Sequence, residues 1–492
     1  MEDKQKDSIV KSIATYSSSN IYRRVLGVLN AYIKPKLLSP ELYGLWNILS
    51  IIPSYASYSH LGSRSIMRYL IPYNMAKNEF QKNVEIKSSV FYGSLYLNVL
   101  ISAILVIISF AWNLTMVVRF GLLTMAIMVI LMWYYDYYLS LLKSYQNFKL
   151  ITSTNYLRAN ITVFLGIILI YFFNIYGVFL SAILSYIFVI LYLKVKYPLE
   201  PHGKFQFKVF IDLVKKGVPL TLYNFNIELI LTLDRIIISY YLGSEQVGYY
   251  AIAIMIGTFL LEIPSVSLEI IEPKLMENMN VNSNENNLKE YFFTPLINTA
   301  YFMPFMLGAG IIVLPFLIPL LLPRYTPGIL SAQIIILGSY FFSLSILMRG
   351  IIVANGWQLK ASVLTGSILP ISMFLSILLL KLGLGIEGVA IGSSISYFIL
   401  FIWLLIFIRR RCNYVLPDWN QNLIAMCYPF PIMCVTITFL QYFSKIIHIN
   451  DYIATFINLL IFFIIMFFVL NIAQKKYPLL KGIRLGKIWL NQ

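Results

Sequence analysis

The chain has 492 residues, of which 59% are hydrophobic and only 12% charged, and it carries a formal net charge of +17. Soluble domains hold roughly twice that share of charge, so a soluble enzyme or nucleic-acid-binding protein is excluded, and most of the chain is expected in hydrocarbon. The apolar runs, such as 95–112 and 453–472, are continuous rather than alternating. That predicts membrane-spanning α-helices and excludes an outer-membrane barrel.

In chain order, hydropathy and helix breakers predict spans near 13–37, 43–62, 88–110, 114–141, 155–173 and 176–195. Six more are predicted near 211–239, 248–272, 291–322, 327–353, 361–380 and 386–408, and a last pair near 421–443 and 452–473. The first is the most polar, with Ser17, Ser18, Ser19, Asn20, Arg23 and Arg24 inside it. It is retained because of where the charges fall. Of 38 Lys and Arg residues, 29 lie in the alternate connections that include both termini and 5 in the opposite set. Arg23, Arg24, Arg119 and Arg235 lie within spans. Removing the first span would scramble that alternation. By the positive-inside rule both termini are expected in the cytoplasm, and the basic charge is explained without nucleic acid. No cleaved signal peptide is expected, because the N-terminal stretch lacks an apolar core followed by a cleavage site.

The connections in the less basic set are short, for example 173–176 and 243–247, and leave no room for an external catalytic domain. The cytoplasmic stretches 198–208 and 279–290 are too small for a nucleotide-binding domain. There is no Walker-type loop and no nucleophile elbow. Cys412, Cys427 and Cys434 lack metal-ligand spacing, and His60, His202 and His448 are solitary. Neither a metal nor a catalytic residue is expected.

Two local matches indicate an internal repeat. Leu38-Ser39-Pro40-Glu41-Leu42-Tyr43-Gly44 parallels Leu242-Gly243-Ser244-Glu245-Gln246-Val247-Gly248, and Gly177-Val178 with Ser185-Tyr186 parallels Gly388-Val389 with Ser396-Tyr397 at an offset of 211. The expected architecture is an all-α polytopic protein of about fourteen helices. Residues 1–200 and 201–412 form two six-helix lobes related by an axis along the membrane normal, and 413–492 form an extra helix pair with a basic tail. This is a secondary-transporter arrangement with a central cavity.

The segment Gly217-Val218-Pro219-Leu220 through Leu233-Asp234-Arg235-Ile236, followed by Leu242-Gly243-Ser244-Glu245, resembles the start of the second lobe in polysaccharide-unit flippases. So do the Leu38–Gly44 turn, Leu61-Gly62 and Pro273-Lys274-Leu275. These flippases belong to the multidrug/oligosaccharidyl-lipid/polysaccharide superfamily, and the resemblance covers essentially the whole chain. It implies transport of an undecaprenyl-pyrophosphate-linked oligosaccharide across the bacterial cytoplasmic (inner) membrane for O antigen, capsule or exopolysaccharide. Implied partners are that lipid-linked oligosaccharide, membrane lipids and a polysaccharide polymerase. The rival readings are an ion-coupled multidrug exporter of the same superfamily and, more remotely, a polyprenyl-dependent polymerase or ligase.

Ionisable residues inside a bilayer are functional candidates. In the first span Asn20 and Arg24 share a polar, small face with Arg23 to its side, suited to line a cavity and clamp a pyrophosphate. An interfacial helix on anionic headgroups fits the same residues. Arg64 and Arg68, read at the cytoplasmic end of span 2, suit headgroup entry or simple anchoring. In the related lipid II branch, basic residues of the first lobe line the cavity, and only Arg23, Arg24 and Arg64 occupy comparable positions here. Glu228, Asp234 and Arg235 on span 7, and Glu262 and Glu269 on span 8, are read as sites of charge pairing or of coupling to an H+ or Na+ gradient, with no other cofactor. Asp136 and Tyr137 in span 4 are possible glycan contacts, although an aromatic belt explains the tyrosines equally well. Pro304, Pro315 and Pro319 in span 9 suit either a hinge or a static kink.

Overall fold

A computed structural model describes residues 2–197, 203–281, 292–411, 419–447 and 451–476. Parts of the predicted connections at 198–208 and 279–290, Cys412, His202, His448 and the basic tail beyond Lys476 lie outside the described residues. What is described is helical, with no strand. Among the described residues nine helical stretches are long and apolar enough to cross a membrane. Two of them, Phe148–Lys196 and Gln358–Arg411, are 49 and 54 residues long, and each contains a reversal. The protein is a polytopic helical membrane protein.

The first compact unit runs from Met1 to Glu228. Its helices are α1 (Glu2–Leu37), α2 (Pro40–Leu49), α3 (Ile51–Ala56), α4 (Ser63–Ala76), α5 (Phe80–Ala111), α6 (Met116–Ser144), α7 (Phe148–Asn160), α8 (Gly166–Lys196) and the first part of α9 (Phe207–Leu242). Ser39 starts α2, its hydroxyl accepting the Leu42 N–H at 3.4 Å. α1 packs on α7, and α6 packs on α4, α5 and α8.

Span 2 differs from its sequence reading. The left-handed residues Leu61 (φ 48°) and Gly62 (φ 86°) interrupt the helical path but do not end it, and α4 continues to Ala76. Gly62 is required twice over. Its backbone is left-handed, and a Cβ there would sit 2.2 Å from the carbonyl carbon of Gly217 on α9. Gly217 has the reciprocal need, its own Cβ falling 2.4 Å from Gly62. This backbone-to-backbone crossing fastens the start of α9 to the first unit. The division by contacts falls within α9, after Glu228.

The second unit runs from Leu229 to Gln492. It holds the rest of α9, α10 (Ser244–Val281), α11 (Thr294–Leu321), α12 (Ile329–Ala354), α13 (Gln358–Leu379), α14 (Gly385–Arg411), α15 (Trp419–Cys427), α16 (Pro429–Ile447) and α17 (Asp451–Lys476). α12 is central, packing on α10, α11 and α14. The C-terminal helices join this unit through α11. Gly308 lies against Phe462 of α17, and Tyr340 of α12 donates its hydroxyl to the Met426 carbonyl.

The predicted repeat is visible in the backbone. α8 breaks at Asn174 with φ 53° and ψ −131°, and Gly385, 211 residues later, has φ 54° and ψ −139°. Gly177 and Gly388, also 211 apart, each sit where a Cβ would strike the preceding helix, at Leu169 and Leu379 respectively. The other matched pair is likewise a tight junction. Ser39 separates α1 from α2, and Gly243 (φ 88°) separates α9 from α10.

Candidate functional site

The strongest concentration of charge in the first unit is built on three helices. Residues 64, 67, 68, 71 and 74 recur at helical spacing on α4, so Arg64 and Arg68 share the face that buries Met67, Ile71 and Asn74. Arg64 is only 7% exposed. One of its terminal nitrogens lies 3.1 Å from Asp136 of α6. Burying a guanidinium without a carboxylate would cost several kcal/mol, and Asp136 meets that need.

Arg158 of α7 completes the group. Its guanidinium donates to the hydroxyl of Tyr186 on α8, with its Cζ 4.3 Å from the centre of that ring and 5.1 Å from the ring of Tyr135. Asp136 interacts electrostatically with both Arg64 and Arg158, and Arg68 with Arg64. Arg64 and Arg158 thus share one carboxylate, and Arg68 adds a third positive charge beside Arg64. The Nε atoms of Arg64 and Arg68 are buried without a hydrogen-bond partner. Donors of fixed planar geometry and surplus positive charge suit an anion with several acceptor oxygens, such as a phosphate or pyrophosphate.

α1 meets α7 along a polar seam. Tyr22 donates to the Asn160 side-chain carbonyl at 2.7 Å, and Asn155 donates to the Ser19 hydroxyl at 3.2 Å and to the Asn20 side-chain oxygen at 3.4 Å. Ser18 and the Tyr156 hydroxyl are 3.2 Å apart. Leu26, Ala159 and Val163 pack beside them. Asn20 is therefore part of the α1–α7 contact. Arg24 is half-buried on α1 and Arg23 is exposed. Nothing lies within 4 Å of where a Cβ on Gly27 would stand, so that part of α1 faces open space.

The other residues predicted in this unit are placed as follows. Arg64 stands in the first turn of α4, which follows the predicted span 2, and is buried against α6. Tyr137 is 1% exposed and its hydroxyl donates to the Lys87 carbonyl at 3.1 Å. Its ring packs on Phe91, 5.0 Å between centroids. Glu228 is half-buried on α9. Arg158 was counted with a connection in the sequence reading; α7 begins at Phe148, which draws it into the helix. The available signal was the run Thr152–Asn155, whose polar residues are nonetheless buried at positions 152, 154 and 155.

In the second unit, Asp234 is 4% exposed and accepts the Arg235 N–H at 2.7 Å. Arg235 donates from its guanidinium to the Leu231 carbonyl at 3.3 Å. On α10, Glu262 is half-buried and Glu269 exposed. Glu272 lies 3.9 Å from Arg349 of α12. The structure thus brings Arg64 and Asp136 together, while the acidic residues of α10 are spread over its length. Among the described residues no group of three potential metal ligands occurs.

A family model described as "Polysaccharide biosynthesis protein" matches residues 35–325. No curated protein matches the chain. Among solved structures, the chain is similar to the lipid II flippase MurJ in an inward closed conformation, at 15% identity and a TM-score of 0.66, over 93% of this chain and 99% of that one. It is also similar to an inward-facing multidrug resistance MATE-family transporter of the MOP superfamily, at 14% identity and a TM-score of 0.64, over 80% and 95%. A Vibrio cholerae MATE transporter, VcmN, matches at 13% identity and a TM-score of 0.56, over 83% and 97%. At such identities the likeness is one of fold.

Proposed function

The chain belongs to the polysaccharide biosynthesis protein family, a membrane-transporter family of the flippase superfamily, and from that premise we propose that it flips undecaprenyl-pyrophosphate-linked oligosaccharide repeat units. The observation that carries this reading is the surplus of guanidinium charge near Asp136, buried among packed helices. A cluster of Arg64, Arg68 and Arg158, with Arg23, Arg24 and Asn20 on α1, offers the pyrophosphate several charge-assisted donors. The glycan would travel with the pyrophosphate through a polar path, while the polyprenyl chain remains in lipid. Asp136 acts in this reading as the counter-charge that keeps the arginines ordered when no substrate is bound. Tyr137, with its hydroxyl committed to α5, serves packing.

The direction is from cytoplasmic to outer leaflet of the bacterial inner membrane, with both termini cytoplasmic, and the product feeds a polysaccharide polymerase. Glu262 and Glu269, with Glu228, Asp234 and Arg235, are proposed to pair charges or to take up a coupling H+ or Na+. The test is translocation of a polyprenyl-pyrophosphate oligosaccharide in proteoliposomes, comparing wild type with Arg24→Ala and carrying a cationic dye as control cargo. Transport of the glycan that Arg24→Ala abolishes, with folding retained, supports the reading. Movement of the dye alone replaces it with a multidrug exporter. If Glu262→Gln with Glu269→Gln leaves both the rate and its dependence on the membrane gradient unchanged, the coupling role is wrong.

A further inference from the structure

The C-terminal end of α14 carries Arg409, Arg410 and Arg411, on the side that the charge distribution assigns to the cytoplasm. A flat basic collar would suffice for orientation, but this end is concave. A cavity of about 800 Å³ opens between the start of α13 and the end of α14, with walls that are part polar and part apolar. Trp403, Phe407 and Arg411 recur every four residues and so lie on one face of α14, with Trp357 of the preceding turn opposite them.

Two of the three arginines lie over rings. The Arg411 guanidinium carbon is 5.6 Å from the centre of the Trp357 ring and 5.1 Å from that of Phe407, and these two rings are 6.0 Å apart and perpendicular. Arg409 is engaged separately, over Trp419 at 5.8 Å. Among the described residues no carboxylate pairs with Arg410 or Arg411. Ring contacts of this kind restrain a guanidinium while leaving N–H groups to bond an incoming acceptor. The rest of the wall, with Leu364, Trp403 and Ile406, is apolar.

We propose that this niche binds an anionic membrane phospholipid, its phosphodiester held by Arg410 and Arg411 and one acyl chain lying along Leu364, Trp403 and Ile406. A phosphate over an apolar wall is the chemistry of a lipid rather than of a free anion, and the cytoplasmic leaflet is rich in anionic lipid. The site is separate from the arginine cluster of the first unit, so its failure would leave the flippase reading standing.

The test is native mass spectrometry of the purified full chain titrated with phosphatidylglycerol, phosphatidylcholine or inorganic phosphate. Two arginines near the surface predict a preference for phosphatidylglycerol over phosphatidylcholine of roughly 30-fold. Arg410→Gln with Arg411→Gln should abolish that preference, and Arg411→Lys, which keeps the charge but loses the planar guanidinium, should retain part of it. Arg324→Gln, a neutralisation on an exposed residue elsewhere, should leave it intact. Equal retention of both lipids by the wild type overturns the proposal, as does a preference that survives the double substitution. Displacement of phosphatidylglycerol by equimolar inorganic phosphate would also overturn it, because the acyl chain would then contribute nothing.

Discussion

Replacing Asp136 by Asn removes the carboxylate that faces Arg64 at 3.1 Å while keeping the size of the side chain. The Arg64 side chain is 8% exposed, so its charge would remain buried, whereas the Asp136 side chain is 30% exposed and already partly hydrated. Removing one partner of a fully buried pair costs about 3–5 kcal/mol, and the partial exposure here lowers that to about 2–3 kcal/mol. Arg64→Met deletes the buried charge and leaves Asp136 with Arg158, at a smaller cost of about 1–2 kcal/mol. The double variant removes both charges of the 64–136 pair, so Arg64 is no longer orphaned and only Arg158 loses a counter-charge. It should be more stable than the sum of the single effects by about 1–2 kcal/mol. Titration of the purified protein from mild detergent into SDS, followed by circular dichroism, gives the four stabilities of the cycle. Unchanged stability of Asp136→Asn, or additivity within about 0.5 kcal/mol, would refute the assignment of Asp136 as the counter-charge.

Arg158→Lys keeps the charge but loses the planar guanidinium that contacts the rings of Tyr135 and Tyr186, and should destabilise by about 1–2 kcal/mol in the same titration. It should also slow glycan translocation in proteoliposomes more than it slows the dye. Gly62→Ala adds a Cβ 2.2 Å from the Gly217 backbone at a left-handed position, a cost of more than about 4 kcal/mol. The expected result is loss of the monodisperse peak in size-exclusion chromatography. Asn174→Gly removes a side chain from a backbone conformation that favours glycine, and should raise stability by about 1 kcal/mol, read as a higher melting temperature.

The helical class was legible because continuous apolar runs have no other stable form in a bilayer. The repeat was legible because tight reversals demand particular residues. Gly177 and Gly388 both stand where a Cβ would strike the preceding helix, so the same steric need calls for glycine at both positions. The arginine cluster was only half legible. Hydropathy treats Arg64 and Arg158 as penalties and so pushes both toward connections. What permits their burial is a partner far along the chain, Asp136 for one and Tyr186 for the other, and a sequence profile does not record partners. The continuation of the helical path into α4 was not legible, because left-handed residues mark a turn in sequence and the close approach of Gly217 lies far along the chain.

The seam between α1 and α7 has a consequence for how the protein is made. α1 is not among the helices apolar enough to enter a bilayer by composition alone, and its polar side chains find partners at Asn155, Tyr156 and Asn160. Those residues lie up to 138 positions downstream. At ordinary rates of synthesis they emerge from the ribosome roughly 7–28 s after α1 does. Until then the polar groups of α1 lack the partners that α7 gives them in the folded protein. Biogenesis would then proceed out of sequence order, with the opening helix among the last of its unit to settle.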